Sequence, residues 1–330
     1  MSGSGRTAIR ALFRVAAGPR TGYGHLVRAT VLARACGVEP VLSLRGGQAA
    51  RRTARQLGCR VAAGTARQLL KAVRPDVVVI DDPSPVAAHR FCRAARRQGL
   101  RVASVHDLGL GYCDADLTID GSIAQPHGTA DGCALLGTPY AILEPCGQPA
   151  ARPRDAGTVL IALGGGPRRQ AARRLARMIA TRHPQVSIRV AGGFAALRRT
   201  AADSRIVWLP PQRGLARELA RADVAVVGGG VTLYEACAAG TPAVGVAVVP
   251  AQRPTICGFA RLGAIRDGGS PSHVRRAAAE VTRLIEQSAL RARVAREARA
   301  LVDGDGARRV AAAVIRLGQH GVPVSDRRTP

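Results

Sequence analysis

Lysine is almost missing from this chain. Its 330 residues include 49 basic ones and a formal charge of +27, yet Lys71 is the only lysine. No glycine-rich loop therefore ends in the lysine of a phosphate-binding Walker motif. Aromatic residues make up 3%, which leaves few stacking platforms for single-stranded nucleic acid. No apolar run reaches eighteen residues without a charge, so a membrane-spanning helix is not expected. The eight cysteines form no C-x-x-C pair, and the seven histidines show no H-x-x-x-H or H-E-x-x-H spacing. Local support for a metal site is absent, and no metal and no cofactor are expected.

What is present is alanine and arginine. Segments such as "AARRLARMIATR" and "LRARVAREARALV" place arginine on helices where other sequences place lysine and glutamate. No zinc-finger, basic-zipper or RNA-binding signature accompanies the charge, so no specific nucleic acid is expected as partner. An anionic small substrate fits it with fewer parts. With 47% hydrophobic residues the chain is globular and long enough for two domains. Arginines interrupt the first apolar run, which reads as a tail entering a strand rather than a signal peptide. A cytoplasmic, monomeric chain without stable membrane insertion is expected, and its scattered cysteines read as reduced core residues. Cys237, in "LYEACAAG", reads as a buried helix residue before it reads as a nucleophile.

β-branched runs alternate with helical patterns throughout. "PVLSL", "DVVVID", "RVASV" and "ADLTI" are strand candidates in the first half; "GTVLIAL", "VSIRVA", "ADVAVVG" and "TPAVGVAV" are candidates in the second. Continuous apolar strands between helices indicate parallel sheets covered on both faces. "EPCGQPAARPRD" reads as a linker, dividing the chain into residues 1–150 and 151–330. The expected fold class is α/β, with two doubly wound Rossmann-like domains facing a cleft at the carboxyl ends of their strands.

Three strand–glycine–helix turns stand out. The first is "ALFRVAAGPRTGYGHLVRATVLA", with Gly22, Tyr23, Gly24, His25 and Arg28 behind the strand. The second is "TVLIALGGGPRRQAARRLARMI", containing Gly165. The third is "ADVAVVGGGVTLYEACAAG", with Gly229, Gly230, Val231, Thr232 and Glu235. Glycine lets backbone amides approach an anion, and a helix dipole favours negative charge there. Glu235, three residues after Thr232, fits two roles. It can complete a capping box, or it can accept hydrogen bonds from the vicinal hydroxyls of a ribose.

"GGGVTLYEACAAGTPAVGVAVVPAQ" resembles the nucleotide-binding segment of GT-B nucleotide-sugar enzymes related to the MurG-like glycosyltransferases. The sequence is most similar to the PseG/SpsG family, the UDP-2,4-diacetamido-2,4,6-trideoxy-β-L-altropyranose hydrolases of pseudaminic acid synthesis. The family's G-x-G-H-x-x-R stands here as Gly22, Gly24, His25 and Arg28; "LLGTPYAILEP" and "LVDGDGARRV" extend the resemblance in the same order. Two positions differ: an Asp-x-Tyr is replaced by "DDPSP", with Asp81 and Asp82, and an Asn-Gln pair by Ala251 and Gln252.

The resemblance implies a GT-B-like hydrolase whose partner is a UDP-sugar. The second domain would hold UDP, and His25 would be the base that activates water. A helix N-terminus disfavours imidazolium, so a lowered pKa is expected for His25, with activity falling below about pH 6.5. Asp81 or Asp82 would orient His25 or hold the sugar, or else cap the helix after Pro85. Arg28 or Arg20 would meet the diphosphate, and Gln252 would lie near the sugar. His106 and Asp107 read as loop-structuring. Trp208 lies where a uracil would bind, or is core. A glycosyltransferase of the same fold and an inactive UDP-sugar binding protein are the other functions that fit.

Overall fold

Strands made almost wholly of Val, Ile, Leu and Ala can be satisfied only when both sheet faces are covered, and the architecture follows from that. The computed structural model describes residues 9–18, 21–108, 112–123, 133–145, 155–164, 168–192, 204–210 and 214–320. Their contacts divide into two units, one of Met1–Leu143 with Asp305–Pro330 and one of Glu144–Gly304.

In the first unit, seven parallel strands form one sheet: β1 (Ala11–Ala16), β2 (Val41–Arg45), β3 (Arg60–Ala62), β4 (Val77–Asp81), β5 (Arg101–His106), β6 (Leu117–Asp120) and β7 (Cys133–Leu136). Their order is β3-β2-β1-β4-β5-β6-β7. Helices α1 (Gly24–Ala35), α2 (Gln48–Gln56), α3 (Ala66–Val73) and α4 (Pro85–Arg96) are the crossovers. Side chains alternate between the faces, as the pleat demands. Phe13, Val15, Val77 and Val79 pack with Leu26 and Leu32 of α1. Leu12, Val78 and Ile80 pack with Phe91 and Cys92 of α4.

The second unit repeats this plan. Its strands are β8 (Thr158–Ala162), β9 (Ser187–Ala191), β10 (Ile206–Leu209), β11 (Val224–Gly228), β12 (Ala243–Val246) and β13 (Arg266–Asp267). They run parallel in the order β10-β9-β8-β11-β12-β13. Helices α5 (Arg168–Arg182), α6 (Ala216–Arg221), α7 (Val231–Ala238), α8 (Arg253–Arg261), α9 (Val274–Glu286) and α10 (Ser288–Leu301) accompany it.

The final helix, α11 (Gly306–His320), departs from the expected division at residue 150. Its apolar face (Ala307, Val310, Ala311, Val314 and Leu317) enters the core of the first sheet beside Val77 and α1. Gly306 opens it because any Cβ there would collide with the Ala141 carbonyl. That close approach explains a glycine within the "LVDGDGARRV" stretch on packing grounds alone.

Both sheets share one topological feature. Strand order reverses direction between β1 and β4 in the first and between β8 and β11 in the second. The crevice outside the strand carboxyl ends at such a switch point is where open α/β sheets bind ligands. His25 and Asp81 follow β1 and end β4. Gly164 follows β8, and Gly229 follows β11.

Candidate active site

After β1 the chain closes a small loop, in which Gly18 and Gly22 exchange backbone hydrogen bonds of 3.0 and 2.7 Å. Gly22 sits at φ +82°, a conformation natural to glycine, whereas Gly24 is simply the first residue of α1. Tyr23 is the N-cap residue of α1 and makes no side-chain capping bond; its ring leans on the core. His25 is thereby set in the first turn, on the helix face that meets β4. Arg20 lies outside the described residues.

Four ionisable side chains meet there. His25 Nδ1 lies 2.7 Å from Asp81 Oδ1. The Arg28 Nε and Nη2 groups donate to the two oxygens of Asp81 at 2.8 and 2.6 Å. The adjoining end edge of the same guanidinium donates to Asp107, Nη1 to Oδ1 at 2.7 Å and Nη2 to Oδ2 at 3.1 Å. Asp81 is buried, and burial works against its charge, but Arg28 and His25 hold its carboxyl well below the usual carboxylate range. An ionised carboxylate only accepts, so Nδ1 carries the proton and donates it to Asp81. Nε2 is then the basic nitrogen of the ring.

The expected lowering of the His25 pKa is corrected by this arrangement. Burial does push it down, but the charge and hydrogen bond of Asp81 outweigh burial, and the net direction is upward from 6.5. Arg28 is corrected too. Both edges of its guanidinium are occupied by carboxylates, so it organises Asp81 and is not a free clamp for a diphosphate.

Asp82, the first residue beyond β4, does not join this cluster, because successive residues of an extended chain face opposite ways. It lies on the α4 side, accepting from Arg14 Nε at 3.1 Å and from Arg45 Nε at 3.0 Å. The Ser84 amide also donates to it at 3.0 Å, and Ser84 in turn caps α4. The choice left open in the sequence thus resolves by face. Asp81 orients His25, and Asp82 anchors the turn into α4. His106 is similarly turned inward, with Nε2 2.8 Å from Ser104 Oγ and its ring edge-on to Tyr112. Asp107, expected only to structure its loop, instead reaches Arg28. That pairing depends on β4 and β5 being neighbours, which their alternation with helices hints at but does not establish.

The second unit presents a different chemistry at its switch point. Gly229 has no room for a side chain: a Cβ would stand 3.0 Å from Gln252 and from Ile256. Gln252 Oε1 accepts the amides of Gly229 and Val248, each at 3.1 Å. Gln252 is therefore a brace for the glycine turn, a role its expected place near the sugar did not include. Helix α7 then starts at Val231 with Gly230 as N-cap and no side-chain cap. The capping-box alternative for Thr232 and Glu235 is thereby removed, for Thr232 is the second helical residue and Glu235 the fifth. First-turn amides have no partner inside a helix, and here Val231 and Thr232 supply them at the positive dipole end.

Glu235 is 8% exposed. Burial, reinforced by the charge of Glu144, raises its pKa from 4.5 to about 7, and among the described residues no hydrogen bond offsets this. A buried carboxyl without a donor is costly to the fold and suited to a ligand that brings hydroxyls. Trp208 faces α5, where the guanidinium carbons of Arg169 and Arg173 stand 5.5 and 5.9 Å from its ring centroid. It is a stacking partner for those arginines. Cys237 is fully buried and its thiol is pushed up to about 12, so it holds no thiolate. Gly165 lies outside the described residues. Among the described residues, no group of three His, Cys, Asp or Glu side chains could hold a metal ion, and no helix is long and apolar enough to cross a membrane.

No protein-family model and no curated protein matches the sequence. Solved structures do match in fold. MurG of Acinetobacter baumannii is 16% identical, with a TM-score of 0.65, covering 92% of this chain and 99% of its own. The spinosyn rhamnosyltransferase SpnG complexed with thymidine diphosphate is 17% identical, with a TM-score of 0.63 and coverage of 93% and 99%. UDP-GlcNAc 2-epimerase from Neisseria meningitidis bound to UDP-GlcNAc is 11% identical, with a TM-score of 0.60 and coverage of 93% and 99%. The chain has the GT-B fold, two parallel-sheet α/β domains of seven and six strands.

Proposed function

We propose that the chain binds a UDP-linked acetamido-deoxy sugar and hydrolyses it, releasing UDP, in the manner of the PseG/SpsG hydrolases that its sequence resembles. That resemblance implies a role in biosynthesis of a nonulosonic acid or a surface polysaccharide. The observation that carries the reading is the His25–Asp81 pair at the β1/β4 switch point, which fixes the imidazole tautomer with Nε2 available.

In the reaction, Nε2 takes a proton from water as the water oxygen bonds to the anomeric carbon. The bond from that carbon to the diphosphate oxygen breaks, its electron pair leaves with UDP, and the proton passes from His25 to solvent. Asp81 steadies the imidazolium formed on the way. In the second unit, the Val231 and Thr232 amides meet diphosphate and Glu235 accepts the ribose hydroxyls. Structural neighbours that bind thymidine diphosphate or UDP-GlcNAc support a nucleotide-sugar ligand for this fold.

One observation favours a glycosyltransferase as the second reading. On α4, Val86 is 72% exposed and stands over a face carrying Arg90, Arg93 and Arg97, beside a cavity of about 590 Å³. An acceptor with both apolar and anionic parts would fit that face. The two readings separate in one experiment, a UDP-release screen over a panel of UDP-sugars with and without acceptors. UDP release without an acceptor supports the hydrolase, and release only with one supports the transferase.

A further inference from the structure

We propose that Asp107 is a positioning residue for His25, acting through Arg28 and Asp81. The proposal rests on the hydrolase reading for its meaning, and on the geometry of four side chains for its content.

Arg28 is 10% exposed, and its guanidinium lies flat between two carboxylates. The edge formed by Nε and Nη2 fixes both oxygens of Asp81, and the edge formed by Nη1 and Nη2 is fixed by Asp107. A planar fork held at both edges has no freedom to rotate away from Asp81. Asp81 in turn determines where the His25 ring stands. Without Asp107, the outer edge of Arg28 would have only water for a partner, and nothing on that edge would hold Arg28 Nη2 in place, 3.2 Å from His25 Nδ1, a second donor.

The backbone shows that the position of Asp107 is enforced. The next residue, Leu108, has φ +60°, in the left-handed region that a leucine rarely adopts. Its amide is held by Ser122 Oγ at 2.8 Å, and the Ser122 amide donates to Asp120 at 3.0 Å. Strain in a non-glycine residue persists only where its surroundings over-determine it. Here the strained hinge ends β5 with the carboxylate of Asp107 directed at Arg28.

Charge makes the arrangement consequential. The groups facing His25 are Asp81 from β4, Arg28 from α1 and Asp107 after β5. With neutral His25 the cluster carries two negative charges and one positive, so it has an excess of one carboxylate. Protonation of His25 neutralises it. Asp107, at 52% exposure, is partly screened by water, yet it still adds to the pull for a proton.

The test is an NMR pH titration of the His25 imidazole in the full chain without substrate, its resonance assigned by difference from His25→Asn. In Asp107→Asn the titration midpoint should fall below that of the wild type, and in Asp107→Glu it should return toward it. Turnover of the UDP-sugar identified by the screen should fall roughly tenfold in Asp107→Asn, with UDP affinity unchanged. A midpoint that stays in place or rises in Asp107→Asn overturns the proposal, whatever turnover does. Because the titration needs no substrate, its failure is distinct from failure of the hydrolase reading, which would show as absent UDP release from a protein whose His25 titrates as described.

Discussion

Replacing Glu235 by glutamine should make the empty protein more stable and the nucleotide weaker, and the size of both effects can be worked out. The carboxyl is raised from 4.5 to about 7 by burial and by Glu144. At about 1.36 kcal/mol per pH unit, that difference corresponds to roughly 3 kcal/mol between the two protonation states. Between pH 4.5 and 7 the folded protein holds a proton that the unfolded chain has released. Stability therefore falls as pH rises through that window, and the full penalty is present above it. Glutamine has no proton to lose. Equilibrium urea unfolding of wild type and Glu235→Gln should give matching stabilities near pH 4.5 and diverge to about 3 kcal/mol in favour of glutamine by pH 8. Calorimetry at pH 8 should show the opposite order for UDP, with a loss of roughly 1.5–3 kcal/mol for hydrogen bonds to a charged acceptor. Stability curves that stay parallel across pH would refute the buried-carboxyl argument. A variant that is stabilised yet binds UDP as tightly as wild type would remove Glu235 from the nucleotide site.

Two other substitutions separate the neighbouring candidates. His25→Asn should keep UDP affinity and lose roughly 10²–10⁴-fold in turnover, and the wild-type pH profile should have an acidic limb centred above 6.5 that the variant lacks, since His25 must be neutral to act and its pKa is raised. A wild-type limb centred below 6.5 would contradict the dominance of Asp81 over burial. Asp82→Asn should leave turnover within a few-fold but destabilise the fold by about 2 kcal/mol in denaturant titration, below the usual cost of breaking a buried pair because Arg45 is 41% exposed and can turn to water.

The fold was readable because its signal is repeated. Eight strand candidates named from apolar runs correspond to β2, β4, β5, β6, β8, β9, β11 and β12. The strands that escaped, β3, β7, β10 and β13, run for only two to four residues, too short to stand out as strand runs, and apart from Leu209 their residues are exposed or only half-buried. The return of α11 to the first sheet left no trace in periodicity, for an amphipathic helix does not record which core receives it. His25, Arg28 and Asp81 were legible as residues, yet their relation was not. Successive aspartates at the end of an extended strand face opposite ways, but only the sheet shows that Asp81, the last residue of β4, has the α1 face. Asp107 needed both the β4–β5 pairing and the left-handed turn at Leu108. The resemblance places Gln252 near the sugar, whereas its brace on Gly229 joins residues 23 positions apart and shows only in the structure.

The central claim is that water, activated at His25, attacks the anomeric carbon of a UDP-sugar. Its most direct test is to run the UDP-release reaction in ¹⁸O-labelled water without an acceptor and analyse both products by mass spectrometry. The account predicts one ¹⁸O in the freed sugar and none in UDP, with the signal lost in His25→Asn. Label in the diphosphate, or no release of UDP until an acceptor is added, would contradict it.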